Sequence, residues 1–403
     1  MILAVLFAVQ GAGEIAVQHE GRVKPLDSFA RQLVQFLTEK ETFEGYRDPG
    51  TREWVAVFPG GDPVRAVLGM IALPREVHRK RFLKIAHPGL KAKLGLEASR
   101  TYFSLGDLES VRGRMAAEAQ AIDDETANSE DRALLKVLHQ IATVEGILAE
   151  RLLAIFPFPQ GENRTWMTPS EVREWLRGRR ASPILETHVR GDSGRRAALT
   201  EAMDRYDAAV AALARGDDTK FAGLAEVLRA LNPGVVPSGG RIRVEVTYNR
   251  IRPFHWACLV YFISALAFLG ALVFRRGWSV ALAILVAGLV LTGFGYALRW
   301  IIAGRYPLSN HYESMVMCAL AAALAAVVCE ILARSKSVLG MSGALVASLL
   351  LVLANNVPAF AEQGFVAPLV PALQTVWMTI HVPVIMTGYA LGMLLMVLGH
   401  VFL

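Results

Sequence analysis

From Phe254 to its last residue the chain is a succession of apolar runs, each near the length an α-helix needs to cross a bilayer. Such runs leave little choice of fold. Hydrocarbon offers no water to satisfy backbone amides, so a lipid-facing segment closes its hydrogen bonds within itself as a helix. Five spans are expected: Phe254 to Phe274, Trp278 to Leu298, Tyr312 to Ala333, Val338 to Ala354, and Thr379 to the end. Arg275-Arg276 close the first, Arg299 closes the second, and Arg334 with Lys336 follow the third. The overall hydrophobic content of 53% conceals this unevenness, because most of the charge lies before Phe254. The expected class is mainly α, a polytopic α-helical membrane bundle preceded by a mostly helical soluble domain. Its parts are residues 1–13 as a signal-like apolar segment, 14–250 as the soluble domain and 251–403 as the membrane domain.

Met1 to Ala12 has the length of a signal h-region, but no Lys or Arg precedes it; a buried strand fits equally well. In Gly21 to Arg31 a basic patch leads through Pro25 and Asp27 into a helical pattern, Phe29, Leu33, Phe36 and Leu37. Arg22, Lys24 and Arg31 there read as a solvated basic face. Arg132 to Phe156 repeats apolar residues at helical spacing, and Thr168-Pro-Ser-Glu171 is a capping box with Pro at the first helical position. Ala197 to Leu231 predicts two helices broken near Gly216-Asp-Asp, and Arg241 to Tyr248 alternates like a strand. His19, His78, His87, His139 and His188 lack ligand spacing, and His78-Arg-Lys-Arg81 reads as a solvated face.

Composition excludes several classes. The net charge of +6 comes without any Lys/Arg tract interleaved with aromatics, so nucleic acid is not an expected partner. The three cysteines, Cys258, Cys318 and Cys329, lie in apolar runs, which argues against a disulfide scaffold or zinc module. No Cys-x-x-Cys-His occurs, so the chain is not itself a c-type cytochrome. The two short loops after the first and third spans hold two basic residues each and are assigned to the cytoplasm. The soluble domain, the loop around Pro307 and the loop before His381 then share the opposite side. Arg299 and Arg305 lie there against the charge rule, which marks them as kept for a task.

In Pro371 to Ala390, PALQTVWMTIHVPVIMTGYA, a Trp and then a His stand at the mouth of the last span. A His at that depth finds a partner, lines a polar cavity or ligates a metal, and its neutral form is favoured. From position alone a packed, hydrogen-bonded His is the commoner outcome.

Two stretches then carry a family likeness. GRYPLSNHYES resembles the GxxPLSNxYES signature of the CcsA/ResC-type cytochrome c assembly proteins. PALQTVWMTIHVPVIMTGYA is similar to the same family's LQSxWLxxHVxxMxxSYA segment. The likeness covers about residues 245–403, and YNRIRPF with GRVKPLDSFAR is similar to a subgroup carrying a large extracytoplasmic N-terminal domain. It implies an inner-membrane protein of bacteria with its N-terminal domain in the periplasm. It also implies that the protein handles haem b for covalent attachment to apocytochrome c, as part of a cytochrome c haem lyase. His381 would be the first of two outer histidines ligating the haem iron. Apart from the resemblance, helical spacing sets Trp377 on the face of His381, where it could pack on the porphyrin, and Arg299 and Arg305, on the same side of the membrane, are candidate propionate partners. The chemistry belongs largely to haem and thiolate, so no catalytic side chain is expected.

The departures are specific. The family's tryptophan-rich segment, ending Trp-x-Trp-Asp, and the second outer histidine after it are absent from these residues. Thr375 and Gly388 replace serines of the pattern, and His311 falls at a variable position. His400 is nineteen residues beyond His381, about 28 Å along a helix, too far for the same iron. A ResB/Ccs1-like partner, or a further polypeptide bearing the tryptophan-rich segment, is therefore expected to complete the site within the lipid bilayer. Two alternatives stay open. One is a b-type haem or quinol-interacting membrane subunit, for which the paired histidines are lacking; the other is a non-enzymatic assembly scaffold.

Overall fold

A computed structural model of the protein describes residues 11–123, 125–158, 166–234, 236–333, 337–361, 364–368 and 375–402. Most of the Met1–Ala12 run and the residues 371–374 of the last motif lie outside these. The chain divides into two units, Met1–Ile242 and Arg243–Leu403.

The first unit opens on a hairpin, β1 (Ala16–His19) and β2 (Arg22–Pro25), which runs directly into α1 (Leu26–Thr38). A second hairpin, β3 (Gly45–Arg47) with β4 (Trp54–Ala56), precedes α2 (Pro63–Ala72) and α3 (Pro74–Val77). Then come β5 (Leu83–Lys84), α4 (Pro88–Leu94) and β6 (Tyr102–Phe103), with β5 and β6 paired antiparallel. The remainder is helical: α5 (Leu105–Ala119), α6 (Ser129–Leu148), α7 (Pro169–Leu176), α8 (Pro183–His188), α9 (Ser193–Leu213) and α10 (Leu224–Leu231).

Local chemistry accounts for the helix starts. Capping boxes launch α5 from Ser104 with Asp107, α6 from Asn128 with Asp131, and α7 from Thr168 with Glu171. Each cap is worth about 1 kcal/mol, because it satisfies amide donors that the first turn leaves open. The core beneath them joins Phe29, Leu33, Val67, Phe82, Ile141 and Tyr206.

Three expectations for this region need correction. Arg22, Lys24 and Arg31 do not form a solvated face: Lys24 is 2% exposed, meets His19 Nδ1 at 3.3 Å and lies 3.6 Å from Glu20. Arg31 Nε donates to Asp27 at 3.0 Å. The hairpin turns Lys24 inward, and α1 pairs Arg31 with an acid one turn earlier. α6 stops at Leu148 and does not run to Phe156. Glu150 takes left-handed backbone (φ 54°), and Leu152 folds back so closely on Gly146 that a Cβ there would lie 2.8 Å from it. Finally, the alternating stretch Arg241 to Tyr248 lies in a helix, α11 (Gly239–Ile251). Ile242, Glu245 and Val246 are buried, a three- and four-residue spacing that the alternation had masked.

The second unit holds α12 (Pro253–Phe274), α13 (Trp278–Ala303), α14 (His311–Ala333), α15 (Val338–Asn356), the short α16 (Pro358–Ala361) and α17 (Val376–Phe402). Five helices here are long and apolar enough to cross a membrane, making this a multi-pass membrane protein. α12 packs on α13 and α15, while α14 packs on α15 and α17. Small residues permit the approach. A Cβ on Gly343 would meet Ala326 Cβ at 2.1 Å, and one on Gly340 would meet the Phe268 ring at 2.4 Å. One span boundary differs from expectation, since α13 continues past Arg299 to Ala303 and leaves that arginine inside the helix.

Candidate functional site: a charged clamp in the membrane unit

Residues 304–310, Gly-Arg-Tyr-Pro-Leu-Ser-Asn, fold around one carboxylate. Gly304 ends α13 in left-handed backbone (φ 67°), which a glycine adopts without penalty. Asn310 precedes α14, and its Oδ1 accepts from the Glu313 N–H at 2.9 Å. Glu313, in the first turn of α14, is 1% exposed. Its Oε1 accepts from Arg299 Nε at 2.9 Å, while its Oε2 accepts from the Ser309 N–H at 2.6 Å and Ser309 Oγ at 2.8 Å. Arg305 Nη1 lies 3.8 Å from the same Oε2.

Arg299 is also 1% exposed, and its guanidinium is shared out internally. Nη1 donates to the Gly364 carbonyl at 2.6 Å and to the Tyr248 hydroxyl at 3.3 Å; Nη2 donates to the Phe365 carbonyl at 3.4 Å. The Tyr312 ring centroid lies 5.1 Å from its Cζ. Arg305 Nη2 donates to Ser309 Oγ at 2.8 Å and to the Ala367 carbonyl at 2.9 Å. Tyr296 donates its hydroxyl to the Pro307 carbonyl at 3.2 Å. Three separate stretches, the α13–α14 turn, the start of α14 and residues 364–367, are thereby held by two cations and one anion.

The physics requires this completeness. A buried charge costs several kcal/mol unless it is both paired and hydrogen-bonded, and here carbonyls and hydroxyls complete the shells. The residues of the GRYPLSNHYES stretch thus form a clamp. Of the candidate residues, Arg299 and Arg305 are brought together on Glu313. Trp377 and His381 are not joined to them by any hydrogen bond or ion pair among the described residues. Both stand on α17 one turn apart, and both are exposed, Trp377 to 74%. His400, further along α17, hydrogen-bonds the Met396 carbonyl at 2.8 Å, and the His311 ring lies 6.2 Å from that of Phe360.

A second buried carboxylate escaped notice in the sequence. Glu330, near the end of α14, is 0% exposed. It accepts from Trp278 Nε1 at 2.7 Å and from the Ser337 and Gly340 amides at 2.9 and 2.8 Å. An acid three residues from the end of an apolar run was the available signal.

Fold and clamp together define a multi-pass helical membrane protein with a buried, hydrogen-bonded carboxylate near each end of α14. Comparison with known proteins gives its kind. Residues 308–403 match the family model described as Cytochrome C assembly protein. The chain is 24% identical over 395 residues to protein NrfI of Wolinella succinogenes, covering 94% of this chain and 40% of that protein. It is 33% identical over 150 residues to the cytochrome c biogenesis protein CcsA of Synechocystis sp., covering 36% of this chain and 44% of that one. With CcsA of Prochlorococcus marinus the identity is 41% over 112 residues, 28% of this chain and 34% of the other. The matched part of the chain thus spans less than half the length of these relatives. Over these residues the chain is similar to CcsA-type cytochrome c assembly proteins, and it carries an additional N-terminal region.

Proposed function

We propose that this protein handles haem b at the outer face of a bacterial inner membrane and presents it for covalent attachment to apocytochrome c. The carrying observation is the pair on α17: an imidazole, His381, and an indole, Trp377, exposed one turn apart near the start of an apolar span. Such a pair fits one axial position on haem iron and one flat apolar contact for the porphyrin. Attachment adds each cysteine S–H across a haem vinyl group, a step that needs reduced thiols and no side-chain acid from this chain. The protein's own share is holding and orienting haem.

In this reading His381 supplies an axial nitrogen and Trp377 packs on the ring. Arg305, exposed enough to exchange its Ala367 contact, meets a propionate. Arg299, enclosed by its partners, serves the propionate side through the clamp, by fixing Arg305's neighbours. The second axial ligand comes from outside the described residues, from a ResB/Ccs1-like partner or another segment rich in tryptophan. The N-terminal region is assigned to the periplasm.

The test is His381→Ala in the complete assembly. Haem content and c-type cytochrome yield should fall together, and imidazole in the medium should restore part of both by filling the vacant coordination position. Full haem content with an unchanged absorption spectrum in the variant would reduce His381 to an interfacial residue and sink the proposal.

A further inference from the structure

The N-terminal unit contains an open cleft of about 480 Å³ that the haem reading does not use. On one side it is lined by Val55, Ala56 and Val57 of the second hairpin. Elsewhere it is lined by the basic run His78 to Arg81 and by the start of α5. The hairpin side is an open strand edge: among the described residues β4 pairs only with β3, and all three of its residues are exposed, Trp54 to 57%. An unpaired apolar edge is a template for another strand, and proteins that do not use such an edge blunt it.

The charge in the cleft is one-sided. Its acid, Asp107, is already committed: it accepts from Arg81 Nε at 3.0 Å and from the Ser104 N–H at 3.0 Å, with Arg100 3.8 Å away. Arg79 and Lys80 make no ion pair among the described residues, and the Lys80 ammonium stands 5.9 Å over the Phe58 ring. An apolar strand edge beside two uncommitted cations calls for an added strand whose side chains alternate between its two faces, carboxylates on the face toward the basic run and apolar residues on the other.

We propose that this cleft binds an extended segment of a partner protein in which acidic and apolar residues alternate, added as a strand along β4 with its carboxylates on Arg79 and Lys80. Main-chain hydrogen bonds would supply affinity and the charges register, the usual division in strand addition. The proposal is independent of where haem binds.

The test uses the full chain in phosphatidylcholine nanodiscs and a fluorescein-labelled decapeptide of alternating Glu and Val, followed by anisotropy. Saturable binding that weakens with salt is expected, and the alternating Lys-Val decapeptide should not bind. The double variant Arg79→Glu/Lys80→Glu should lose about tenfold or more in affinity for the acidic peptide and gain binding of the basic one, which also proves the variant folded. N-methylation of the valine amides should abolish binding while leaving every charge in place. The proposal is overturned if the double variant keeps its affinity within about twofold. It is equally overturned if the N-methylated peptide binds as well as its parent, which would make the run a plain charged surface. Displacement of the peptide by phosphatidylglycerol vesicles would make it a membrane patch and also overturn the proposal.

Discussion

Arg299 and Glu313 show how a single residue's neighbours decide what it is for. Glu313→Gln preserves shape and removes the only carboxylate on the Arg299 guanidinium among the described residues. The uncompensated buried cation should cost about 3–5 kcal/mol, whereas replacing both partners with apolar residues, Arg299→Met with Glu313→Leu, should cost less than either single change. Unfolding in mixed detergent–SDS micelles, run as a double-mutant cycle, reads this directly. Equal losses in single and double variants would mean that the carbonyl contacts of Gly364 and Phe365, and not the ion pair, carry the stability. Arg299 and Arg305 were legible as misplaced cations. Their partner was not, since Glu313 lies across a turn and reads from sequence as an ordinary first-turn acid. Nor can any sequence rule name the Gly364 and Phe365 carbonyls, because a backbone acceptor carries no residue signature. Lys24 was misread for a related reason: a basic residue between polar neighbours looks solvated until the hairpin turns it inward.

At the scale of elements, the length of the apolar runs located the five span helices among the described residues, because lipid leaves the backbone no other option. Periodicity failed in short polar stretches. Arg241 to Tyr248 satisfies a strand alternation and a helical stripe at once, and the helix won. How the span helices pack depends on small residues that no periodicity ranks. Gly343→Val should separate α14 from α15 and destabilise the membrane unit by about 1–3 kcal/mol, the usual cost of overpacking. Gly293→Ala, with nothing within 4 Å of its new Cβ, should be neutral or slightly stabilising. Thermal inactivation of the two variants in the same detergent separates the cases. In the N-terminal unit Glu39 ties α1 to α6 and β5 through Lys136 and Lys84. Burial alone would raise its carboxyl, but the two ammonium groups outweigh that and hold it below the usual 4.5. A carboxyl lowered on folding stabilises above its unfolded value and loses that contribution as pH falls through the folded one. Amide exchange in α1 and α6 should therefore speed up as pH drops below about 4.5, beyond the intrinsic pH effect, and Glu39→Gln should flatten that change. The pair is partly exposed, so its share is under about 1 kcal/mol.

At the scale of the whole molecule, α14 carries a buried carboxylate near each end. Glu313 and Glu330 are seventeen residues apart on that helix, about 25 Å, close to the thickness of a hydrocarbon core. Each is enclosed by donors, and exposed tryptophans lie near both levels: Trp300 is one residue from Arg299, and Trp278 donates to Glu330. Aromatic belts mark interfaces, so the two carboxylates are predicted to bracket the bilayer. This resolves the conflict over charge. Arg299 and Arg305 are bound by Glu313, Ser309 and backbone carbonyls, so in the folded protein neither is a free positive charge. Among the described residues Arg275 and Arg276, both exposed, stand free at the Trp278 and Glu330 end. That end is accordingly predicted to be cytoplasmic, and the clamp and the N-terminal region extracytoplasmic. Two exposed positions test it with little structural disturbance, Ser279→Cys at the start of α13 and Ala197→Cys on α9. In intact spheroplasts a membrane-impermeant maleimide should label Ala197→Cys and spare Ser279→Cys until the membrane is permeabilised. The reverse pattern would place the clamp in the cytoplasm, and haem presentation to an exported apocytochrome could not occur there.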